Sequence, residues 1–510
     1  MQQTREVPVS PQAAIAAAYE LVERRAYAEA EAACRHALAA TNGRSPEAWT
    51  ALGVVLREQG RMADSEAAYG QALKVAPRHI PAHHNLGALL SHLERAEEAL
   101  AALDRAQSLG LKAPELYINR GRALAQLYRY EEAERSYTQA VTLQPRNVMA
   151  QSNLAQLRYK MGDPAFGRDF VAAARAHPQD VALQFNYAQL LERSGDLQGA
   201  EVALRELIKT AGPIPEVRSA LAFVLQLSGR LPEAESEALQ AAASRPHDPK
   251  LSSTLVVIEL ALGKPDAALP LIRRQRQRQP DEQRWIAYEA VVARMMQDPL
   301  YRQWYDYERV VRVYDLEAPP GWGSIAELNE ALIGALHERH RLASHPLDQS
   351  LRNGSQTSRS LLTERNAAIQ ALVTAFAAPI ASYRAALGTR ADHPLSARNR
   401  GSAAAVLSGC WSVELRRDGF HVNHIHPEGW LSSAYYVSVP DEVRDPNLKS
   451  GWIKFGEPRF PAPGVDAEHF VQPRAGRLVL FPSYMWHGTN AIRGDQPRLT
   501  VAFDAVPPTG

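Results

Sequence analysis

A chain of 510 residues is longer than one hydrophobic core organises, so two or more domains are expected. The 57 basic and 56 acidic residues leave a formal charge of +1, which excludes a bulk electrostatic pull toward nucleic acid or an anionic membrane. Two cysteines, Cys34 and Cys410, exclude a disulfide framework, and no apolar signal core or run of about 18 apolar residues marks a leader or a membrane span. A cytoplasmic protein is expected.

After a short tail, residues 1–10, the chain is rich in Ala, Leu, Glu and Arg and poor in β-branched residues, a helix-forming composition. It is also self-similar. Trp49, Leu52, Gly53 and Leu56, with Tyr69, Ala72 and Pro77, recur 34 residues on as Leu86, Gly87 and Leu90 with Ala99, Leu103 and Ala106. A second step of 34 gives Tyr117, Gly121 and Leu124 with Ala133, Tyr137, Ala140 and Pro145. The pattern resembles the tetratricopeptide repeat. The small residues fall where the first helix of a pair presses on the second, and the prolines end the second helix. The register slips at Asp163–Pro164–Ala165–Phe166 and then resumes, so seven or eight helical pairs are expected over residues 11–298, stacked as an α-solenoid with a concave face. Such an array is expected to hold a protein or peptide. The basic run Arg273–Arg274–Gln275–Arg276–Gln277–Arg278 spreads around a helix and reads as a solvated face, not a nucleic-acid site.

Residues Arg284 to Arg312 read as helical and carry Trp285, Tyr288, Trp304, Tyr305 and Tyr307, an aromatic cap on the solenoid or its contact with the next domain. Residues 299–323 are the capping helix and linker, ending in Ala318–Pro319–Pro320–Gly321–Trp322–Gly323. Ser324, with Glu327 three places on, predicts a capped helix to about Arg341, and a second helix is predicted from Thr363 to Leu387. Short strands follow at Ala404–Leu407, Trp411–Arg416, Trp430–Val439, Trp452–Phe455, Arg477–Phe481 and Leu499–Phe503, divided by Gly, Pro, Asn and Asp. Residues 324–510 are therefore expected to form a double-sheet jelly roll with flanking helices, giving a multidomain α + β chain.

Three imidazoles, His421, His424 and His426, fall within six residues ahead of an apolar stretch that reads as a strand. In a strand, residues i and i+2 share a face, so His424 and His426 can converge on one point. A third ligand from another strand would complete a facial metal site with open positions, as in non-haem Fe(II) oxygenases, and His487 is the candidate. Tyr435 and Tyr436 lie on opposite strand faces, so at most one can look into the cavity.

These pieces are ordered as in a known family. Pro346–Leu347–Asp348–Gln349–Ser350–Leu351–Arg352, Gln356–Thr357, His424–Ile425–His426–Pro427, Ser432–Ser433–Ala434–Tyr435–Tyr436, Phe481–Pro482–Ser483, Trp486–His487–Gly488–Thr489 and Arg498 resemble the 2-oxoglutarate/Fe(II) oxygenases that often follow tetratricopeptide repeats. The resemblance implies Fe(II), 2-oxoglutarate and dioxygen, with His424 and His487 as metal ligands. It also implies that Arg498 pairs with the far carboxylate of 2-oxoglutarate, with Thr500 on the same face and Tyr435 as a further cofactor-binding candidate. A hydroxylase acting on a protein or peptide brought by the repeats is the expected function. The chain departs from the family where the superfamily has Asp or Glu: it has His426. Either His426 ligates, giving three histidines, or Glu428 supplies the carboxylate, or the register begins at His421 with Asn423 in the acid's place. A three-histidine zinc hydrolase and a binding protein with a degenerate barrel are the rival functions.

Overall fold

The computed structural model describes residues 10–347 and 349–507; nearly all of the expected tail, Asp348 of the Pro346–Arg352 stretch and residues 508–510 lie outside them. Helices pair as α1 (Pro11–Glu23) with α2 (Tyr27–Ala40), α3 (Pro46–Glu58) with α4 (Met62–Val75), α5 (Ile80–His92) with α6 (Ala96–Ser108) and α7 (Pro114–Gln126) with α8 (Tyr130–Leu143). The series continues with α9 (Val148–Lys160) and α10 (Arg168–Ala176), α11 (Val181–Arg193) and α12 (Leu197–Ala211), α13 (Pro215–Leu227) and α14 (Leu231–Ser244), and α15 (Pro249–Ala261) and α16 (Pro265–Arg278). The shortened α10 takes up the slip read at Asp163. Pro77 and Pro145 fall just beyond α4 and α8, as expected, while Pro46, Pro114, Pro215 and Pro249 open first helices, where a missing N–H costs nothing. Glycine recurs because the pair is tight: a Cβ on Gly121 of α7 would come within 2.6 Å of the Tyr137 ring on α8.

Two compact units divide the chain after Leu154. The first contains α1 to α8. The second joins the later repeats to everything that follows. In it α17 (Gln283–Met295), α18 (Leu300–Trp304) and α19 (Tyr307–Val310) form the aromatic cap, with Trp285, Tyr288, Trp304 and Tyr305 buried in one core with Phe455, Phe481 and Trp486. The Trp486 N–H donates to Tyr305 Oη (3.1 Å), and Tyr484 Oη donates to the Trp304 carbonyl (2.9 Å). The aromatic stretch is thus the contact with the β domain. Arg276 of the basic run is tied to Glu289 and lies over Trp304 at 5.1 Å, which pins it to the cap.

The strands are β1 (Arg312–Asp315), β2 (Leu351–Gln356), β3 (Val406–His421), β4 (Leu431–Ser438), β5 (Ile453–Phe455), β6 (His469–Val471), β7 (Arg477–Pro482), β8 (His487–Thr489) and β9 (Arg498–Val506). They form a six-stranded sheet, β1-β7-β4-β9-β3-β2, and a three-stranded sheet, β6-β5-β8, all pairs antiparallel. This is a two-sheet jelly roll behind a repeat solenoid. Helices α20 (Ile325–His337), α21 (Ala367–Ala375) and α22 (Ala377–Leu387) flank it. At the head of α20, Ser324 Oγ accepts the Glu327 N–H (3.1 Å) and Glu327 accepts the Gly323 N–H (2.9 Å), the reciprocal cap that the sequence predicts.

Several boundaries differ from expectation. The helix predicted from Thr363 to Leu387 is two helices meeting at Phe376, because Pro379 has no N–H to give the Ala375 carbonyl. The segments expected at Ala404–Leu407 and Trp411–Arg416 fall in one strand that begins only at Val406; the Ser408–Gly409 break is absorbed as a register shift between Leu407 and Gly409. Arg312, read as helical, begins β1 at the sheet edge.

Candidate metal centre

Strand β9 organises the site. Leu499, Val501, Phe503 and Ala505 are buried on one face, where the Phe503 ring meets Phe376 of the helix layer at 4.6 Å. Arg498, Thr500, Ala502 and Asp504 occupy the other, by the two-residue period of a strand. Arg498, Thr500 and Ala502 line an inner recess with Tyr436, Phe481 and His487, and Asp504 lines the outer cavity into which it opens.

The histidine-rich stretch is not a strand, contrary to expectation. β3 ends at His421 and β4 begins at Leu431; between them only His424 forms a bridge, to His487. That bridge joins the distant segments. The His424 N–H donates to the His487 carbonyl (2.8 Å), and the His487 N–H donates back (3.0 Å). The His426 N–H is held by the Ser483 carbonyl (3.0 Å). The rings follow: one nitrogen from each of His424, His426 and His487 lies within 4.8 Å of the others, a set able to hold a metal ion.

The three rings have their other nitrogens occupied. Nδ1 of His424 faces the Val422 carbonyl at 2.8 Å, and Nδ1 of His487 faces the Met485 carbonyl at 2.9 Å. Nδ1 of His426 faces Asp504 Oδ2 at 2.6 Å. An acceptor at each Nδ1 requires a proton there and leaves Nε2 unprotonated, its lone pair on His424 facing Ser350 Oγ at 3.4 Å. Burial and the neighbouring imidazoles hold His424 down at about 3 and His487 well below the usual histidine range, so both are neutral and ready to ligate at neutral pH. Asp504 is itself fixed, its Oδ1 accepting from Ser432 Oγ (2.7 Å), which contacts Ser483 Oγ (2.9 Å).

Deeper in the recess, Arg498 is 2 % exposed, and burial disfavours its charge. Its Nη1 donates to the Gly451 carbonyl and its guanidinium lies 5.6 Å from the Tyr436 ring. Among the described residues no carboxylate pairs with it, and both its Nε and the Tyr436 hydroxyl are buried without a partner. Thr500 Oγ1 donates to the Val413 carbonyl at 3.2 Å. Two unsatisfied donors beside a buried cation favour an anionic guest.

Tyr435 does not join this recess. It points through the other face of β4 and donates to Asn329 of α20 at 2.6 Å, so the cavity-facing residue of the pair is Tyr436, and the cofactor-binding assignment of Tyr435 is corrected. Glu428 is exposed at the rim of the outer cavity. Asn423 turns away to donate to the Pro458 carbonyl (3.2 Å), and His421 contacts Ser350 Oγ (3.0 Å). Asp504 stands out in no motif. Its signal is its place six residues after Arg498, on the same strand face.

Comparison with known proteins agrees with this architecture. Residues 409–504 match the family model described as "Putative 2OG-Fe(II) oxygenase", and residues 15–77, 114–147, 152–213 and 215–240 match tetratricopeptide-repeat models. The matches show multiple tetratricopeptide repeats in the N-terminal region and a C-terminal domain matching that oxygenase model. No curated protein matches it. Similar solved structures include a tetratricopeptide-repeat protein from Parabacteroides merdae, at 20 % identity over 48 % of this chain and 97 % of that one (TM-score 0.36). Yeast Tom70 is similar at 16 % identity over 56 % of this chain and 61 % of that one (TM-score 0.43). PilF of Pseudomonas aeruginosa is similar at 20 % identity over 41 % and 96 % (TM-score 0.31). No helix among the described residues is long and apolar enough to cross a membrane.

Proposed function

We propose that the oxygenase-family domain is an Fe(II)/2-oxoglutarate-dependent dioxygenase, a hydroxylase, and that the repeats recruit its protein or peptide substrate. The observation that carries this reading is the pairing of three Nδ1-tethered histidines with a buried, carboxylate-free arginine in one recess. His424, His426 and His487 would hold Fe(II) through Nε2, and Arg498, with Tyr436 and Thr500, would hold the far carboxylate of 2-oxoglutarate. When bound, the pair would supply an oxidant derived from dioxygen, with 2-oxoglutarate leaving as succinate and CO2. The chain's own work is to orient and to keep dry. Phe481, 4.5 Å from His487, and Trp411, stacked on His426 at 5.9 Å, exclude water. In this reading residues 11–298 recruit, residues 299–323 cap and link, residues 324–510 oxidise, and the compartment is the cytoplasm, in keeping with two buried free cysteines.

The test is turnover. With Fe(II), 2-oxoglutarate and dioxygen, the purified chain should form succinate, faster when a pool of cellular peptides is added. Protein that neither binds 2-oxoglutarate nor makes succinate with any pool would return the barrel to a binding role.

The family carboxylate missing at position 426 has a counterpart one layer back, in Asp504. Its Oδ2 holds the Nδ1 edge of His426 and fixes the ring with Nε2 turned to the site. Asp504→Asn should weaken Fe(II) binding by about 10- to 100-fold while the fold persists, as read by anaerobic titration beside circular dichroism. Unaltered affinity would reduce Asp504 to a packing group.

A further inference from the structure

The iron recess opens outward rather than onto bulk solvent alone. Its outer cavity, bounded by His424, Ile425, Arg352 and Arg459, shares His424, Ile425 and Arg459 with a second cavity walled by Phe223, Tyr288 and Trp486. That cavity shares Phe223 and Thr254 with a third, which lies across α11, α13 and α15. All three belong to the second compact unit. Shared walls thus set three cavities side by side, a track from the repeat helices to His424 and His426. Phe185 and Phe223 give it an apolar floor, and Gln189 and Gln226 offer amides along its side.

The charge at its inner end is one-sided. Arg284, Arg352 and Arg459 surround the outer cavity. Arg284 leans to Glu282 at 3.7 Å, but among the described residues no carboxylate comes within ion-pair distance of Arg352 or Arg459. Arg352 Nη1 donates to the Gln349 and Leu351 carbonyls, both at 2.7 Å, which fixes the guanidinium through one nitrogen at the wall of the cavity and neutralises none of its charge. Burial, and then Arg459, disfavour its charge. Glu192 on α11 senses both arginines without reaching either. Asp504 is committed to His426, and Glu428 is exposed at the rim.

Resting on the oxygenase reading above, we propose that the track takes an extended acidic peptide, one Asp or Glu side chain lying between Arg352 and Arg459 and a neighbouring residue reaching the histidines. An elongated, aromatic-floored track suits a chain segment better than a compact metabolite, and two uncompensated guanidinium groups select the anionic one.

The test uses two ten-residue peptides, each roughly 33 Å when extended and long enough to follow the track. One carries Asp and Glu among Ala and Leu; the other has Asn and Gln in their places. Each bears an uncharged dye, and anisotropy is read on the full chain at low and at physiological salt. The acidic peptide should bind at least tenfold tighter, and R352Q/R459Q should abolish the difference. R459E, a change at an exposed position that the fold tolerates, should weaken the acidic peptide and favour a Lys-containing one. Equal binding of the two peptides, or a preference that survives R352Q/R459Q, would overturn the proposal. The Fe(II)–2-oxoglutarate absorption band, measured on the same unaltered protein, separates the two failures. A band with no acidic preference overturns only the peptide assignment, and an acidic preference with no band overturns the oxygenase reading beneath it.

Discussion

Replacing His487 with alanine should abolish the visible charge-transfer band that Fe(II) and 2-oxoglutarate give together under anaerobic conditions. His487 is buried, its Nδ1 is committed to the Met485 carbonyl, and its ring centroid is 4.2 Å from that of His424 and 5.2 Å from that of His426. Removing it leaves two imidazoles and a hole between Phe481 and the recess. Loss of a supporting partner alone costs about 10- to 100-fold in metal affinity, and loss of a ligand should cost more. The backbone bridge between residues 424 and 487 uses main-chain atoms, so the variant should still fold. Glu428→Gln is the contrasting change: an exposed rim carboxylate that does not ligate leaves the band where it was. A band that persists in H487A and vanishes in E428Q would move the metal to the rim and break the three-histidine assignment.

The fold was legible in the sequence wherever periodicity was long. Gly53, Gly87 and Gly121 recur in phase because each lies under a side chain of the following helix, Tyr69, Leu103 and Tyr137, and a constraint repeated in three pairs is readable. The ordered pieces around His424, His487 and Arg498 were equally plain. Short edge strands were not. β1, β6 and β8 are three or four residues long and owe their conformation to partners far away in the chain. The same non-locality concealed half of the site. His424 and His426 converge although neither lies in a continuous strand, because the main chain of residues 483–487 holds them from outside. Tyr435 and Tyr436 could be assigned to opposite faces by alternation, but which face held the recess depended on α20, whose Asn329 claims Tyr435. Asp504 shows the limit from the other side. Alternation along β9 puts it on the face of Arg498, yet nothing in a linear reading pairs it with an imidazole 78 residues earlier.

Arg498→Gln should leave Fe(II) binding intact and weaken 2-oxoglutarate by roughly 25-fold to several thousand-fold. Truncating one partner of a buried, hydrogen-bonded charge pair costs about 2–5 kcal/mol, and each 1.4 kcal/mol is tenfold in affinity. Here the guanidinium is buried, without a carboxylate of its own among the described residues, and braced on the Gly451 carbonyl and the Tyr436 ring. It already bears the cost of burial in the free protein, so a guest carboxylate gains the interaction without a competing partner to displace. Glutamine keeps an N–H donor at the position of Nε, two atoms short of the guanidinium tips, and has neither the charge nor the fork. Arg498→Lys restores the charge alone and should recover only part of the affinity, since an ammonium cannot make the two parallel bonds. The effect should lie in the apparent affinity for 2-oxoglutarate, with the Fe(II) titration unchanged, because Arg498 is not one of the converging nitrogens. If R498Q binds 2-oxoglutarate as tightly as the unaltered chain, the carboxylate is held elsewhere, and the unsatisfied Tyr436 hydroxyl and Arg498 Nε would need another guest.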